Sequence, residues 1–289
     1  MAGVEALLTT LLALLAASIL AGTAGSFLGI GGGIFLIPFM TLVLGVDLPL
    51  AIGTSLVGVI ATSTAAASVY VRDHLTNLRL GMFLEIGTTI GALAGALLAI
   101  FVDERALFLI FGLVTAYAAA TMARRPETAR DRAYRTAAEP ALSKRLGLGS
   151  KYYDPEDHGV YRYRVLRPAA GLGISALAGS LAGLLGLGGG FVKVPAMNLL
   201  MRVPMKAAIA TSNFMIGVTA AASAFIYYSR GLVDPTFASM VILGVFTGTH
   251  VGARLMARTQ AQRIRGVFAA FLLAIGALMT ARAFGVIPG

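Results

Sequence analysis

One short pattern occurs twice in this chain. Residues 25–38 read GSFLGIGGGIFLIP, and residues 182–195 read AGLLGLGGGFVKVP. An apolar run follows each, and then Ala51-Ile52-Gly53-Thr54-Ser55 in one copy and Ala208-Ile209-Ala210-Thr211-Ser212 in the other. Gly31 and Gly188, Pro38 and Pro195, and Ser55 and Ser212 stand one constant interval apart, so the copies align without a gap. From Ser18 to Ala67 roughly 20 of about 50 positions match, far more than composition alone would give. A duplicated apolar chain, broken by glycine at matching places, has the construction of a secondary transporter: two related membrane halves.

Lipid is the solvent for most of this sequence. Hydrophobic residues make up 57% of it and charged residues 12%, against about 25% charged in a soluble domain; mean hydropathy is +0.83. Cysteine is absent, which removes disulfides and thiolate metal sites. Tryptophan is absent too, so interfacial aromatic positions fall to Tyr and Phe, as at Tyr70, Tyr117, Tyr227 and Tyr228. The net charge of +10 is not a nucleic-acid footprint. About half the basic residues lie between Arg124 and Arg167, and most others flank apolar segments, which is the cytoplasmic bias of a membrane protein. Met1 to Ser26 has no basic leader, carries Glu5 and aligns in part with 173–183 in mid-chain, so it is read as the first membrane segment rather than a signal peptide.

The apolar segments are 5–30, 33–45, 50–71, 79–101 and 105–123, then 167–188, 190–202, 206–228, 236–257 and 264–285. The expectation is an all-α polytopic membrane bundle of two homologous five-segment halves, 1–123 and 167–289, joined by a polar linker, 124–166. The second segment of each half is too short to span, since about 20 residues are needed. It starts at the triple glycine and contains Pro38 or Pro195, and is read as a short or half helix. Gly87-Thr88-Thr89-Ile90-Gly91-Ala92 echoes Gly248-Thr249-His250-Val251-Gly252-Ala253 in the fourth segments, and this small-residue spacing suits close helix crossing. With the arginine-rich linker cytoplasmic, the basic turns at Arg72/Arg79, Arg202/Lys206 and Arg254–Arg265 all fall inside, and both termini fall outside. The halves are then inverted repeats; a four-plus-four count would make them parallel. The linker is read as having little structure of its own, with Asp154 to His158 as a solvated loop rather than a metal site.

The glycine breaks are not nucleotide loops, because both flanks are membrane-helical and no G-x-x-x-x-G-K-[ST] occurs. Unwound backbone in lipid must be satisfied by protein or water. Gly31, Gly32 and Gly33, with Gly188, Gly189 and Gly190, free the N–H groups of the next helix, an end that suits an anion; the alternative is that they only permit close packing. Thr54, Ser55, Thr211, Ser212 and Asn213 open the third segments and offer hydroxyls or an amide; they also suit local bonds to their own helix. Lys193 lies in an apolar run where the other copy has Leu36. A charge at membrane depth costs about 2.5–3.5 kcal/mol on insertion scales, and such residues mark pathways unless they snorkel. Glu85 and His250 are the candidates within spans for carrying a coupled proton.

Taken together, the two Gly-Ile/Leu-Gly-Gly-Gly breaks, Pro38 and Pro195, and the paired Thr-Ser positions resemble the TauE/SafE (sulfite exporter, TSUP) family of membrane transporters. The resemblance spans nearly the whole chain apart from 124–166. It implies a secondary transporter of the bacterial cytoplasmic membrane that moves sulfite, sulfonates, thiosulfate or related small anions, with a proton or sodium ion as the coupling ion and no cofactor. An anion channel with the same lining, or a carrier of small carboxylates, is the alternative. An enzyme is not expected, since H-E-x-x-H, G-x-S-x-G and membrane-depth carboxylate clusters are missing.

Overall fold

In a bilayer an apolar run must satisfy its own backbone hydrogen bonds, so it stays helical until a residue interrupts it. The computed structural model describes residues 2–123, 139–154, 159–259 and 261–285. In the first half α1 (Ala2–Leu28) runs to the first glycine triplet and α2 (Gly33–Pro38) restarts beyond it; α3 (Leu48–Arg72), α4 (Leu78–Ala99) and α5 (Glu104–Ala123) follow. After α6 (Ala141–Leu146), β1 (Ser150–Asp154) and β2 (Gly159–Tyr163), the second half repeats the order as α7 (Pro168–Leu185), α8 (Gly190–Pro195), α9 (Met205–Ser229), α10 (Pro235–Ala257) and α11 (Ala261–Ala283). Gly31 and Gly32 have φ of 79° and 61°, and Gly188 and Gly189 have 68° and 74°. Any L side chain would be strained there, which is why both breaks are glycine. A π-helical turn follows each proline, at 39–43 and 196–200, the wider turn absorbing the amide donor that proline lacks.

Among the described residues, six helices are long and apolar enough to cross a membrane: 7–28, 48–72, 78–99, 168–185, 205–229 and 235–257. Helices α5 and α11 complete the five-plus-five order. The fourth helices are exchanged between the halves. Helix α4 packs on α7 and α9, and α10 packs on α1 and α3. The expected small-residue spacing serves these contacts: Gly91 and Gly95 lie on the backbone of Ala176 and Ser180, and Gly248 and Gly252 lie on that of Ile19 and Thr23. Equivalent helices meet running in opposite directions. In the α3–α9 pair Gly53 meets Tyr227 while Ser63 meets Gly217; in the α5–α11 pair Gly112 meets Thr280 while Gly276 meets Ala116.

The polar stretch between the halves is more ordered than its composition suggests. Residues 124–138 and 155–158 lie outside the described residues, so the loop around Glu156, Asp157 and His158 does too. The remainder forms α6 and a hairpin whose strands pair Ser150 with Tyr163 and Tyr152 with Tyr161. Leu148, Tyr152 and Val165 are buried in the main core. Tyr152, Tyr161 and Tyr163 thus form the inward side of the hairpin, whereas Tyr153 is exposed. The docking post is Asn77, the N-cap of α4. Its Oδ1 accepts from the Leu80 amide at 3.1 Å, while its Nδ2 donates to the Leu148 carbonyl at 2.8 Å and to the Tyr163 hydroxyl at 3.1 Å. Burial pushes the Tyr163 phenol up to about 12, so it stays a neutral hydroxyl in this contact. Asp234 is the equivalent N-cap of α10 and bonds the Phe237 amide at 2.9 Å.

Replacing Asn77 by Asp keeps the cap and removes the amide that holds the linker. Asn77→Asp should leave the bundle folded but speed hydrogen–deuterium exchange through 148–163, since stranding the Leu148 carbonyl costs about 1–3 kcal/mol. Unchanged exchange there would show that the hairpin is held by packing alone.

Candidate functional site

The two glycine breaks meet at the centre of the bundle. Gly31 and Gly188 both face the same two side chains, Val59 of α3 and Ile216 of α9, each near the middle of its helix. A methyl on Gly33 would stand 2.6 Å from the Gly186 carbonyl oxygen, and a methyl on Gly190 would collide with the Gly29 carbonyl. The triplets therefore come together as their duplication suggests, but as backbone on backbone. All six glycines are buried. In this conformation they do not line an anion cradle; they let two broken chains touch where a Cβ would hold them apart.

The paired hydroxyls serve these breaks and the turns beyond them. Ser212 donates to the Gly29 carbonyl at 2.8 Å, and Ser55 faces the equivalent Gly186 carbonyl at 3.5 Å while donating to Ile52 at 2.9 Å. Thr211 accepts from the Asn77 amide and Thr54 from the Asp234 amide, both at 3.0 Å. They thus tie each third helix to the N-cap of the exchanged fourth helix. Asn213 donates to the Ser26 carbonyl at 3.0 Å and to Ile209 at 3.2 Å; its Oδ1 is buried with no partner among the described residues. Tyr70 donates to Ser26 at 2.9 Å, and Tyr227 to Gly183 at 3.2 Å. Sequence reasoning placed these tyrosines in an interfacial belt, yet both are buried and satisfy carbonyls just before the breaks.

The charges converge in one place. Lys193 is 1% exposed and Glu85 8%. Thr219 stands between them: the Lys193 Nζ donates to its Oγ1 at 3.1 Å, and that hydroxyl donates to Glu85 Oε1 at 2.7 Å. Thr88 donates to Glu85 Oε2 at 2.9 Å and Thr89 to Oε1 at 3.1 Å. The Lys193 stem lies over Gly189 and its amide bonds the Gly189 carbonyl at 3.0 Å, so the second break positions the ammonium. Both side chains point into the bundle rather than to its surface, so Lys193 does not snorkel. Thr219 escaped the sequence reading, although it occupies the same place in its repeat as Thr62. By the same alignment Leu36 replaces Lys193 and Ile242 replaces Glu85, so the equivalent place in the other half carries no charge. His250 does not join this network. It is half-buried with its Nδ1 2.9 Å from the Phe246 carbonyl and its ring edge-on to Phe246, itself an exposed side chain.

A cavity of about 350 Å³ opens at the end of the bundle opposite the linker, lined by Ile52, Tyr227, Glu104 and Arg230 among others. Ile52 separates it from the second break, with its side chain packed on Gly186.

The sequence model of the family described as Sulfite exporter TauE/SafE matches residues 14–279. The probable membrane transporter protein YunE of Bacillus subtilis (strain 168) is 27% identical over 89% of this chain and 93% of its own length. A probable membrane transporter protein of Xylella fastidiosa (strain 9a5c) is 30% identical over 89% of each chain. The probable membrane transporter protein MJ0441 of Methanocaldococcus jannaschii is 24% identical over 89% of this chain and 91% of its own length. No solved structure matches significantly.

Because the two nearest neighbours of Gly190 are backbone atoms of the other break, a shift of the Ile216 side chain beside them cannot make room for a larger residue. Gly190→Ala should lower the thermal stability of the detergent-solubilised protein by about 1–3 kcal/mol or more, the usual cost of overpacking. Gly173 lies in α7, where a methyl would meet no atom within 4 Å, and Gly173→Ala should be neutral or slightly stabilising. Equal effects of the two would show that the breaks are not in intimate contact.

Proposed function

The chain belongs to the sulfite exporter TauE/SafE family, and on that footing we propose that it is a secondary transporter of the bacterial cytoplasmic membrane that moves a small sulfur oxyanion, of the sulfonate, sulfite or thiosulfate class, by alternating access. The observation that carries this reading is Lys193. It is a fully buried cation at the centre of a membrane bundle, beside paired helix breaks, held by a threonine hydroxyl rather than by a direct carboxylate contact. An ammonium so placed costs several kcal/mol of desolvation unless an anion offsets it, which makes it a binding charge for an oxyanion once water is admitted.

The exchanged fourth helices define which parts move. The unit α1, α2, α3, α10 and the unit α4, α7, α8, α9 each pack internally and meet at the breaks. Across that seam the breaks meet backbone on backbone, Ser55, Ser63 and Ser212 bridge by their hydroxyls, and Ile52, Val59, Ile216 and Tyr227 each pack on a glycine of the opposite unit. A small rocking motion of one unit against the other separates these surfaces. Separation uncovers the N–H groups after Gly31–Gly33 and Gly188–Gly190 and frees Ser55 and Ser212 to bond substrate oxygens, while Lys193 and Thr219 stay together in one unit. The antiparallel meeting of equivalent helices supports inverted halves. The Arg-rich linker then caps the cytoplasmic mouth, and the cavity beside Arg230 is on the external side.

Purified protein in liposomes should take up labelled sulfite, thiosulfate or methanesulfonate down and, with a proton or sodium gradient, against a concentration difference. Lys193→Met, shown by melting to be folded, should lose at least about tenfold in anion affinity, equivalent to roughly 1.4 kcal/mol. Unchanged affinity and turnover would overturn the role given to Lys193.

A further inference from the structure

We infer that Glu85 is the protein's internal substitute for the transported anion, and that an anion bound at Lys193 is accompanied by uptake of one proton on Glu85. The inference rests on Lys193 being the anion site. Its basis is the single proton of Thr219. That proton has two acceptors in reach, Glu85 Oε1 at 2.7 Å and the Met215 carbonyl at 3.2 Å; given to Glu85, the shorter contact, it leaves the Thr219 oxygen free to accept from Lys193 at 3.1 Å. An oxyanion at Lys193 presents only acceptors, so it can use Thr219 only if the hydroxyl turns away from Glu85. The carboxylate then loses its nearest link to positive charge and faces a second anion, which disfavours its ionised form.

Proton uptake resolves this. A proton from water binds a Glu85 carboxylate oxygen, and the neutral acid keeps Thr88 and Thr89, at 2.9 Å and 3.1 Å, as partners. Before binding, the site holds one ammonium and one carboxylate. After binding, it holds one ammonium, one bound anion and one carboxylic acid, so a monovalent anion leaves its net charge unchanged. Other groups do not compete for this role. Helix α7, which packs on α4, has no titratable residue. On α9, Lys206 bonds the Ala257 carbonyl at 3.3 Å and Tyr227 bonds Gly183 at 3.2 Å. On α8, Lys193 is the only charge.

The test is calorimetric titration of the wild type with methanesulfonate and with thiosulfate, each fully ionised near neutral pH, in buffers of different ionisation enthalpy. The expected result is one proton taken up per anion, with affinity falling about tenfold per pH unit where Glu85 is ionised. Glu85→Gln, a neutral mimic of the acid, should bind with no proton uptake and no pH dependence, as tightly at high pH as the wild type at low pH. Binding without proton uptake in the wild type, including sodium-dependent binding, overturns the coupling and leaves Lys193 as the anion site. Absence of binding to either protein removes the Lys193 reading, and the coupling with it. The wild-type proton count decides the matter even if the variant does not fold.

Discussion

Everything in this molecule depends on two interrupted backbones meeting inside a bundle that lipid surrounds. A helix broken at membrane depth strands carbonyls and amides that hydrocarbon cannot satisfy. The solution here is reciprocal. The third helix of each half passes its serine to the carbonyl of the opposite break, Ser212 to Gly29 and Ser55 to Gly186. A tyrosine near the far end of each third helix turns back to the carbonyl three residues before its own half's break glycine, Tyr70 to Ser26 and Tyr227 to Gly183. Neither half can satisfy its own break completely, so the two must fold against each other. The glycines make this possible by leaving room for the backbones, and the small-residue seams of α4 on α7 and α10 on α1 hold the frame around them.

On this near-symmetric frame the chemistry is one-sided. Lys193, Thr219 and Glu85 lie together, while Leu36, Thr62 and Ile242 occupy the equivalent positions. The ends of the bundle differ in the same way. Asn77 and Asp234 cap equivalent helices and bond equivalent threonines, Thr211 and Thr54. Only the amide of Asn77 can donate to a second segment, and it is at Asn77 that the hairpin docks. At the other end, Ile52, Tyr227 and Arg230 line an open cavity. Single-residue departures from the repeat thus account for the one-sided charge and for the amide on which the hairpin docks.

The frame was legible in the sequence because duplication compares the chain with itself. A constant interval linking Gly31 to Gly188 and Ser55 to Ser212 identifies equivalent places without knowledge of contacts, and helix lengths follow from hydropathy. What escaped was whatever depends on exchange between halves. Glu85 and Lys193 look unrelated in sequence, and become neighbours only because α4 lies on α9. Thr219 carries no sequence mark beyond its repeat mate. Thr54 and Thr211 suggest substrate hydroxyls because they adjoin the serines, but one helical step turns them toward the exchanged N-caps. The hairpin was hidden for another reason. Its arginines and lysines dominate composition, while the alternation that buries Tyr152 spans only a few residues. His250 matches Thr89 in the fourth-segment echo, but the packing sets Gly91 on Ala176 and Gly248 on the equivalent Ile19, so the echo is about one turn out of register and His250 falls at the outer surface.

The one-sided charge also bears on the closed state itself. A second lysine in place of Leu36 would put an ammonium into a dry cluster of Leu14, Met40 and Val241, at a cost of several kcal/mol with no compensation. One lysine and one carboxylate joined through a hydroxyl make a neutral group whose donors and acceptors are largely used: Lys193 on Thr219, Thr219 on Glu85, and Thr88 and Thr89 on the carboxylate. Such a group can be sealed from water at a modest cost, whereas either charge alone cannot. Under the proposed anion site, net neutrality is the condition for bringing the breaks together, whether the negative charge belongs to Glu85 or to a bound anion. On that proposal an arrangement with Lys193 uncompensated belongs to a hydrated, separated conformation, which would link occupancy of the site to the packing of the glycines beside it.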